Sequence, residues 1–129
     1  MGKILEIKNA TKRFGGLWQM RRLPLTWKKA RLWVWWDQSG AGKTTLFNSI
    51  SGAHTLTEGN VIFKGKDITS MKPYDICKLG IGRTFQIPQS LNDMMVYENV
   101  LVGALCKRHN IEEAMKHVDQ ILELCGCWI

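Results

Sequence analysis

The chain has 129 residues, 45% of them hydrophobic and 22% charged, and a formal net charge of +7. These values are typical of one globular domain or part of one, and no apolar run approaches the ~18 residues that a membrane span needs. The N-terminus lacks the long apolar core of a signal peptide, so we expect a cytosolic protein. The cysteines show no metal-finger spacing, and we assign no function to Cys77, Cys106, Cys125 and Cys127.

The first half of the chain predicts strands on either side of one helix. A short strand is expected at residues 4–9, and a gap follows at 14–16. Residues 44–50 are predicted to form a helix, because Gly52 stands where a terminating glycine belongs. Residues 61–68 favour two short strands around a Lys-Gly-Lys turn.

The second half is predicted to be mostly helical. Residues 73–79 favour a short helix with proline in its first turn and Gly80 after its end. Residues 81–85 suit another strand. A helix is expected from Tyr97, and apolar residues recur at three- and four-residue steps over 111–125, which predicts an amphipathic helix.

Residues 40–45, Gly-Ala-Gly-Lys-Thr-Thr, have the composition of a phosphate-binding loop that opens a helix. Backbone N–H groups there would surround the β-phosphate, Lys43 would bridge the β- and γ-phosphates, and the Thr44 hydroxyl would enter the Mg²⁺ shell. The pattern G-x-x-x-x-G-K-[ST] fails only at its first position, where Asp37 should weaken binding through its charge and its stiffer backbone. The predicted nucleotide-binding residues here are Ser39, Gly40, Ala41, Gly42, Lys43, Thr44 and Thr45.

Five stretches of the chain, the second of which contains this loop, follow one another in an order typical of a known family. They read ILEIKNATKRFGG, GAGKTTLFNSISG, TEGNVIFKGKDIT, GIGRTFQIPQ and MMVYENVLVGAL. Together they resemble the ATP-binding subunit of ABC transporters, and the Arg-Thr-Phe-Gln run resembles the branched-chain amino acid importers within that family. The resemblance implies an α/β fold, with a P-loop NTPase core of ABC type and an antiparallel β-subdomain.

The resemblance also implies roles for individual residues. Phe14 matches the aromatic that stacks on adenine; the alternative is a core phenylalanine. Gln86 matches the glutamine that reaches the metal and the attacking water, and it is therefore both a catalytic and a metal-site candidate beside Thr44. Residues 87–99 match the segment that docks on the membrane subunit; the alternative is a solvated loop and helix start.

As the resemblance has it, the chain binds ATP and Mg²⁺ and powers import of branched-chain amino acids. Its partners would be transmembrane permease subunits and a second ATP-binding subunit, with no nucleic acid, at the cytoplasmic face of the inner membrane. The family's signature sequence, Asp-Glu pair and switch histidine do not occur in residues 1–129, which match the N-terminal part of one ATP-binding domain. We therefore expect this truncated chain not to turn over ATP alone.

Residues 17–39 depart from the family. The strand entering the loop should be slim and apolar, yet Trp33, Trp35, Trp36 and Asp37 stand there. Tryptophan has one codon, TGG, and a frame shifted by one base from Leu32 reads apolar-Gly-apolar-Val-Gly-Pro/Ser. That is the missing strand with its missing glycine, so our hypothesis is that residues 17–39 are translated out of frame.

Two alternative interpretations of the chain stay open. The first is a non-functional fragment, which failure to bind ATP and Mg²⁺ would support. The second is a basic nucleic-acid-binding module, because five cations interleave with tryptophans before the loop. These cations are Arg21, Arg22, Lys28, Lys29 and Arg31.

Overall fold

The computed structural model describes residues 2–29, 34 and 42–127. The chain divides into two compact units, Met1–Ile81 and Gly82–Ile129. The first unit combines a sheet with two helices, and the second contains a helical hairpin.

Four antiparallel strands form the sheet of the first unit, in the order β2-β1-β3-β4. The elements of this unit are β1 (Lys3–Phe14), β2 (Leu17–Lys28), α1 (Lys43–Ile50), β3 (Glu58–Phe63), β4 (Lys66–Asp67) and α2 (Pro73–Leu79). Apolar side chains from the strands and from both helices share one core. Its buried members are Leu5, Ile7, Ala10, Met20, Leu46, Ile50, Val61, Phe63, Ile68 and Ile76.

Strand β1 runs five residues past the predicted end at Asn9. Asn9 has a φ of 50°, and the pairing with both neighbouring strands changes register around it. It therefore marks a β-bulge inside the strand, and not the strand's end. Opposite the bulge, Gly59 has a φ of 92°, and a Cβ there would lie 2.5 Å from the Asn9 carbonyl oxygen. Only glycine fits at such a close approach.

Strand β2 forms one edge of the sheet, in a stretch where the sequence predicts no element. Met20 is its buried residue, and most of its other side chains are exposed. Pro24 has no backbone N–H to donate. An edge strand tolerates this, because the backbone groups on its outer side have no neighbouring strand to pair with. The hypothesis of a frame error over 17–39 concerns this strand in part, and the rest of that stretch, except residues 29 and 34, lies outside the described residues.

Local signals located the next elements correctly. The turn between β3 and β4 is at Lys64 and Gly65, whose φ angles are 48° and 81°, as a tight hairpin turn requires. Helix α2 begins with Pro73 and is followed by Gly80 at a φ of 108°. The helix that begins at Lys43 and the glycine after it, Gly52 at a φ of 78°, are also confirmed.

The second unit contains α3 (Val96–Leu105) and α4 (Ile111–Leu124), both predicted from the sequence. Ala104, Ala114 and Val118 form their buried core. Asn110 caps α4 by accepting a hydrogen bond of 2.9 Å from the Glu112 N–H. The apolar face of α4 is buried only in part, because Ile111 and Met115 are exposed.

Tyr97 of α3 faces α4, and its hydroxyl donates a hydrogen bond to the Met115 carbonyl oxygen at 3.4 Å. Desolvation raises the pKa of the Tyr97 phenol above 10.0, and the charge of Asp119 and a hydrogen bond with it raise the pKa further. Both effects disfavour the phenolate.

The predicted strand at residues 81–85 is wrong. These residues have no strand structure, and no described segment pairs with them. A strand is stable only when its backbone hydrogen-bonds to a neighbouring strand, so the apolar pattern of residues 81–85 alone could not establish a strand. Among the described helices, none is both long and apolar enough to cross a bilayer.

Candidate functional site

Gly42 sets the start of α1. Its φ of 86° is left-handed, and its carbonyl oxygen accepts the Leu46 N–H at 2.9 Å, which begins the helical hydrogen bonding. A Cβ at Gly42 would lie 2.6 Å from the carbonyl oxygen of Gln19 in β2. The position therefore requires glycine for two separate reasons, its backbone angle and its contact with β2.

The next three residues form the first turn of α1. Thr44 is exposed, Lys43 and Thr45 are half-buried, and the first turn has no acidic side chain. The N–H groups of a first helical turn have no acceptor within the helix, and the helix dipole makes this end positive. This end of α1 is therefore suited to bind an anion such as a phosphate group.

The predicted loop continues upstream of Gly42. Ser39, Gly40, Ala41 and Asp37 lie outside the described residues. The structure thus shows the helical half of the predicted loop, Gly42 to Thr45, together with the strand against which it packs.

Phe14 ends β1, beside the turn into β2. Its side chain is 42% exposed, which argues against the alternative of a core phenylalanine. The His54 ring meets it nearly edge-on, at 5.5 Å between ring centroids and 79° between planes. The Lys12 Nζ lies 4.9 Å from the centroid of the Phe14 ring, and it also donates a hydrogen bond to the Thr55 carbonyl oxygen. An exposed aromatic ring held by a cation and an imidazole is suited to stack on a flat ligand.

Sequence reasoning missed both neighbours of Phe14. Lys12 had a usable signal, because residues two apart on a strand lie on the same face. His54 had none. It follows α1, and only the fold brings it to the end of β1.

Gln86 is exposed and lies in the second unit, in the segment between α2 and α3. Phe14 and residues 42–45 belong to the first unit. Near Gln86, the Arg83 guanidinium lies 4.6 Å from the centroid of the Phe85 ring, which is itself exposed. The Arg-Thr-Phe-Gln run is thus a surface feature of the second unit.

The segment at residues 87–99 follows this run, extends into the first turn of α3 and exposes several large apolar side chains. They are Ile87, Leu91, Met94, Met95 and Val96. The start of α3 is capped by Glu98, whose carboxylate accepts the Met95 N–H at 2.8 Å. A row of exposed apolar groups on an ordered segment is typical of an interaction surface.

The basic and aromatic stretch before the loop is described in part. The guanidinium carbons of Arg13 and Arg21 lie 5.3 Å and 5.8 Å from the centroid of the exposed Trp18 ring. These contacts already engage the indole with cations of its own hairpin. In the part of the chain that the structure describes, no three His, Cys, Asp or Glu side chains come together as a metal site.

Comparison with known protein families matches residues 20–126 to a model described as ABC transporter. A protein of Archaeoglobus fulgidus, named as a probable branched-chain amino acid transport ATP-binding protein, is 45% identical over 78% of this chain and 39% of its own length. A protein of the same name from Methanocaldococcus jannaschii is 38% identical over 80% of this chain and 40% of its own. A spermidine/putrescine import ATP-binding protein of Clostridium acetobutylicum is 32% identical over 94% of this chain and 34% of its own. The chain thus spans about two fifths or less of these relatives.

Solved structures agree on the fold. A nucleotide-free ATP-binding cassette from an ABC transporter superposes with a TM-score of 0.73 at 30% identity, covering 98% of this chain and 55% of the other. A cassette in its ADP conformation gives 0.72 at 31% identity, with the same coverage of the two chains. A dimeric cassette gives 0.75 at 21% identity over 95% of this chain and 57% of the other, which supports the fold alone. The predicted α/β fold of ABC type is confirmed.

Proposed function

The chain belongs to the ABC transporter family, and from that premise we propose that it is the ATP-binding part of a subunit that powers branched-chain amino acid import. The two relatives named for branched-chain amino acid transport, at 45% and 38% identity, favour this substrate class over polyamines, for which the named relative is 32% identical. Residues 1–129 correspond to the N-terminal part of one ATP-binding domain. The left-handed Gly42 packed against β2, at the start of a helix without first-turn acids, carries the nucleotide-binding proposal.

In this proposal the phosphates lie at the N-terminus of α1. The N–H groups of residues 42–45 donate to phosphate oxygens, with Ser39, Gly40 and Ala41 completing the loop. Lys43 neutralises the β- and γ-phosphates. Phe14 stacks on the adenine ring, while Lys12 and His54 hold its ring in place.

The residues present suit Mg²⁺, because it prefers oxygen ligands and the exposed Thr44 hydroxyl stands at the phosphate end of α1. In the first unit the Thr44 hydroxyl would hold the ion, which neutralises phosphate charge when bound, and Gln86 stays a predicted metal and catalytic residue of the second unit. Gln86 can orient a water molecule but has no basic group to deprotonate it. We therefore expect the 129-residue chain to bind ATP without measurable turnover.

The proposed partners are transmembrane permease subunits and a second ATP-binding subunit. We name residues 87–99 the docking segment, and we propose that its exposed apolar side chains contact the permease. The protein would then lie at the cytoplasmic face of the inner membrane.

Equilibrium binding of ATP with Mg²⁺ tests the nucleotide proposal. Lys43→Ala should weaken binding at least tenfold, because one charged partner of the phosphates is lost. Phe14→Ala should weaken binding less, since it removes stacking alone. Lys116→Ala on the exposed surface of α4 removes the same charge in the second unit and should bind as the unaltered chain does.

Two other outcomes would contradict the proposal. If the unaltered chain is folded and does not bind ATP and Mg²⁺, the alternative of a non-functional fragment stands. If it instead binds single-stranded DNA with a steep dependence on salt, the cations around Trp18 form a nucleic-acid surface.

A further inference from the structure

Asn99, in the first turns of α3, makes four side-chain hydrogen bonds with the backbone of the preceding loop. Its Oδ1 accepts the Leu91 N–H at 2.8 Å. Its Nδ2 lies 3.1 Å from the carbonyl oxygens of Leu91 and Met94 and 3.0 Å from that of Met95. Two N–H bonds thus serve three carbonyl groups, and one hydrogen is shared.

These contacts fix the backbone of the loop from the helix side. Glu98 holds the Met95 N–H at 2.8 Å, and the Met94 N–H donates to the Leu91 carbonyl oxygen at 3.1 Å. The backbone groups of Leu91, Met94 and Met95 are therefore bonded to side chains of α3. The side chains of Leu91, Met94, Met95 and Val96 remain exposed, Met95 by 69%.

This arrangement is unusual for apolar residues. Burial normally orders such side chains, yet here hydrogen bonds order the backbone while the apolar groups stay in water. Preorganising a surface in this way lowers the entropy lost when a partner binds. We infer that Asn99 is a positioning residue that holds the docking segment in its binding shape for an apolar surface of the permease; this inference rests on the docking function proposed above.

Asn99→Asp is the sharpest test because it keeps the size of the side chain. The carboxylate still accepts the Leu91 N–H, but it places a negative oxygen against three carbonyl oxygens in place of the amide donors. Asn99→Ala removes both functions. Gln120→Glu makes the same amide-to-acid change at an exposed position of α4 and serves as the matched control.

Two measurements on the full chain address separate steps. Hydrogen exchange of the Leu91 amide reports the shape of the loop, and we expect at least tenfold faster exchange in Asn99→Ala and the rate of the unaltered chain in Gln120→Glu. Binding to detergent-solubilised transmembrane subunits of a branched-chain amino acid importer reports docking. It should weaken about tenfold in both Asn99 variants and remain unchanged in Gln120→Glu.

A double-variant comparison separates positioning from general stability. If Asn99 acts through the exposed side chains, Met95→Ala should weaken docking in the unaltered chain and have little further effect in Asn99→Asp. Additive effects of the two changes would overturn the inference, as would docking by Asn99→Asp at the strength of the unaltered chain. If the unaltered chain itself does not dock, the proposed docking function fails, and the inference fails with it.

Discussion

Replacing Gly42 by alanine should destabilise the first unit by about 2–5 kcal/mol. The left-handed backbone at a φ of 86° costs an L-residue roughly 1–2 kcal/mol. The new methyl group would also lie 2.6 Å from the Gln19 carbonyl oxygen, a backbone atom of β2 that has no freedom to rotate away. Overpacking of this kind costs about 1–3 kcal/mol. The sum is a large part of the ~5–15 kcal/mol that stabilises a typical domain.

Gly103→Ala is the matched control. Gly103 lies within α3, and a Cβ there would meet nothing within 4 Å. The same substitution should therefore stabilise the helix by about 0.5–1 kcal/mol, since alanine is the better helix former. If glycine-to-alanine substitution destabilises the protein at position 42 and stabilises it at position 103, the effect at Gly42 is due to its local geometry.

Urea unfolding followed by tryptophan fluorescence measures the first effect, because every tryptophan except Trp128 lies in Met1–Ile81. Helix content from far-ultraviolet circular dichroism measures the second. Binding of ATP with Mg²⁺ should also weaken in Gly42→Ala, because the N–H groups of the loop would move. A free energy of unfolding within about 0.5 kcal/mol of the unaltered chain would refute the argument from Gln19.

Three further predictions follow from single contacts. Asp119→Asn should lower the pKa of the Tyr97 phenol toward 10.0, although desolvation still keeps this pKa raised. Ultraviolet titration of the two tyrosines should show one titration curve shifted to lower pH. A curve that does not shift would contradict the role of Asp119. Gly59→Ala should unfold at lower urea than the unaltered chain by a margin similar to that of Gly42→Ala, because its Cβ would lie 2.5 Å from two β1 carbonyl oxygens. Sequencing of the source DNA should reveal single-base insertions or deletions near codons 17 and 39, and an unbroken frame would reject the hypothesis for these residues.

The sequence predicted best the elements whose signals are local. Pro73 and Gly80 bound α2, and two positive φ angles at Lys64 and Gly65 form the hairpin turn, all within a few residues. It failed where pairing is long-range. Asn9 resembles a strand end until β3 is known to bring Gly59 against it, and only then is the bulge evident.

The candidate site also combines features with local sequence signals and features that depend on long-range contacts. The loop motif predicts Gly42 and Lys43 because the chemistry of phosphate binding is concentrated in consecutive residues. The contact with Gln19 and the imidazole beside Phe14 depend on residues far along the chain. The sequence therefore predicts the phosphate end of the candidate site, whereas the contacts around it became visible only in the fold.

Strand β2 clarifies why the proposed frame error and a regular fold are compatible. An edge strand is held mainly by backbone hydrogen bonds, and β2 contributes one buried side chain, Met20, to the core. Such a strand tolerates Pro24 and a run of cations because most of its side chains face water. The family resemblance implies a stricter requirement just before the loop, where a central strand buried on both faces and a glycine at the first position of the loop are expected. A shifted frame over 17–39 would thus spare the β1–β2 pairing and impair the approach to the phosphates. Asp37→Gly should then strengthen binding of ATP with Mg²⁺. The change in the free energy of ATP binding should be larger than the change in the free energy of unfolding of the first unit.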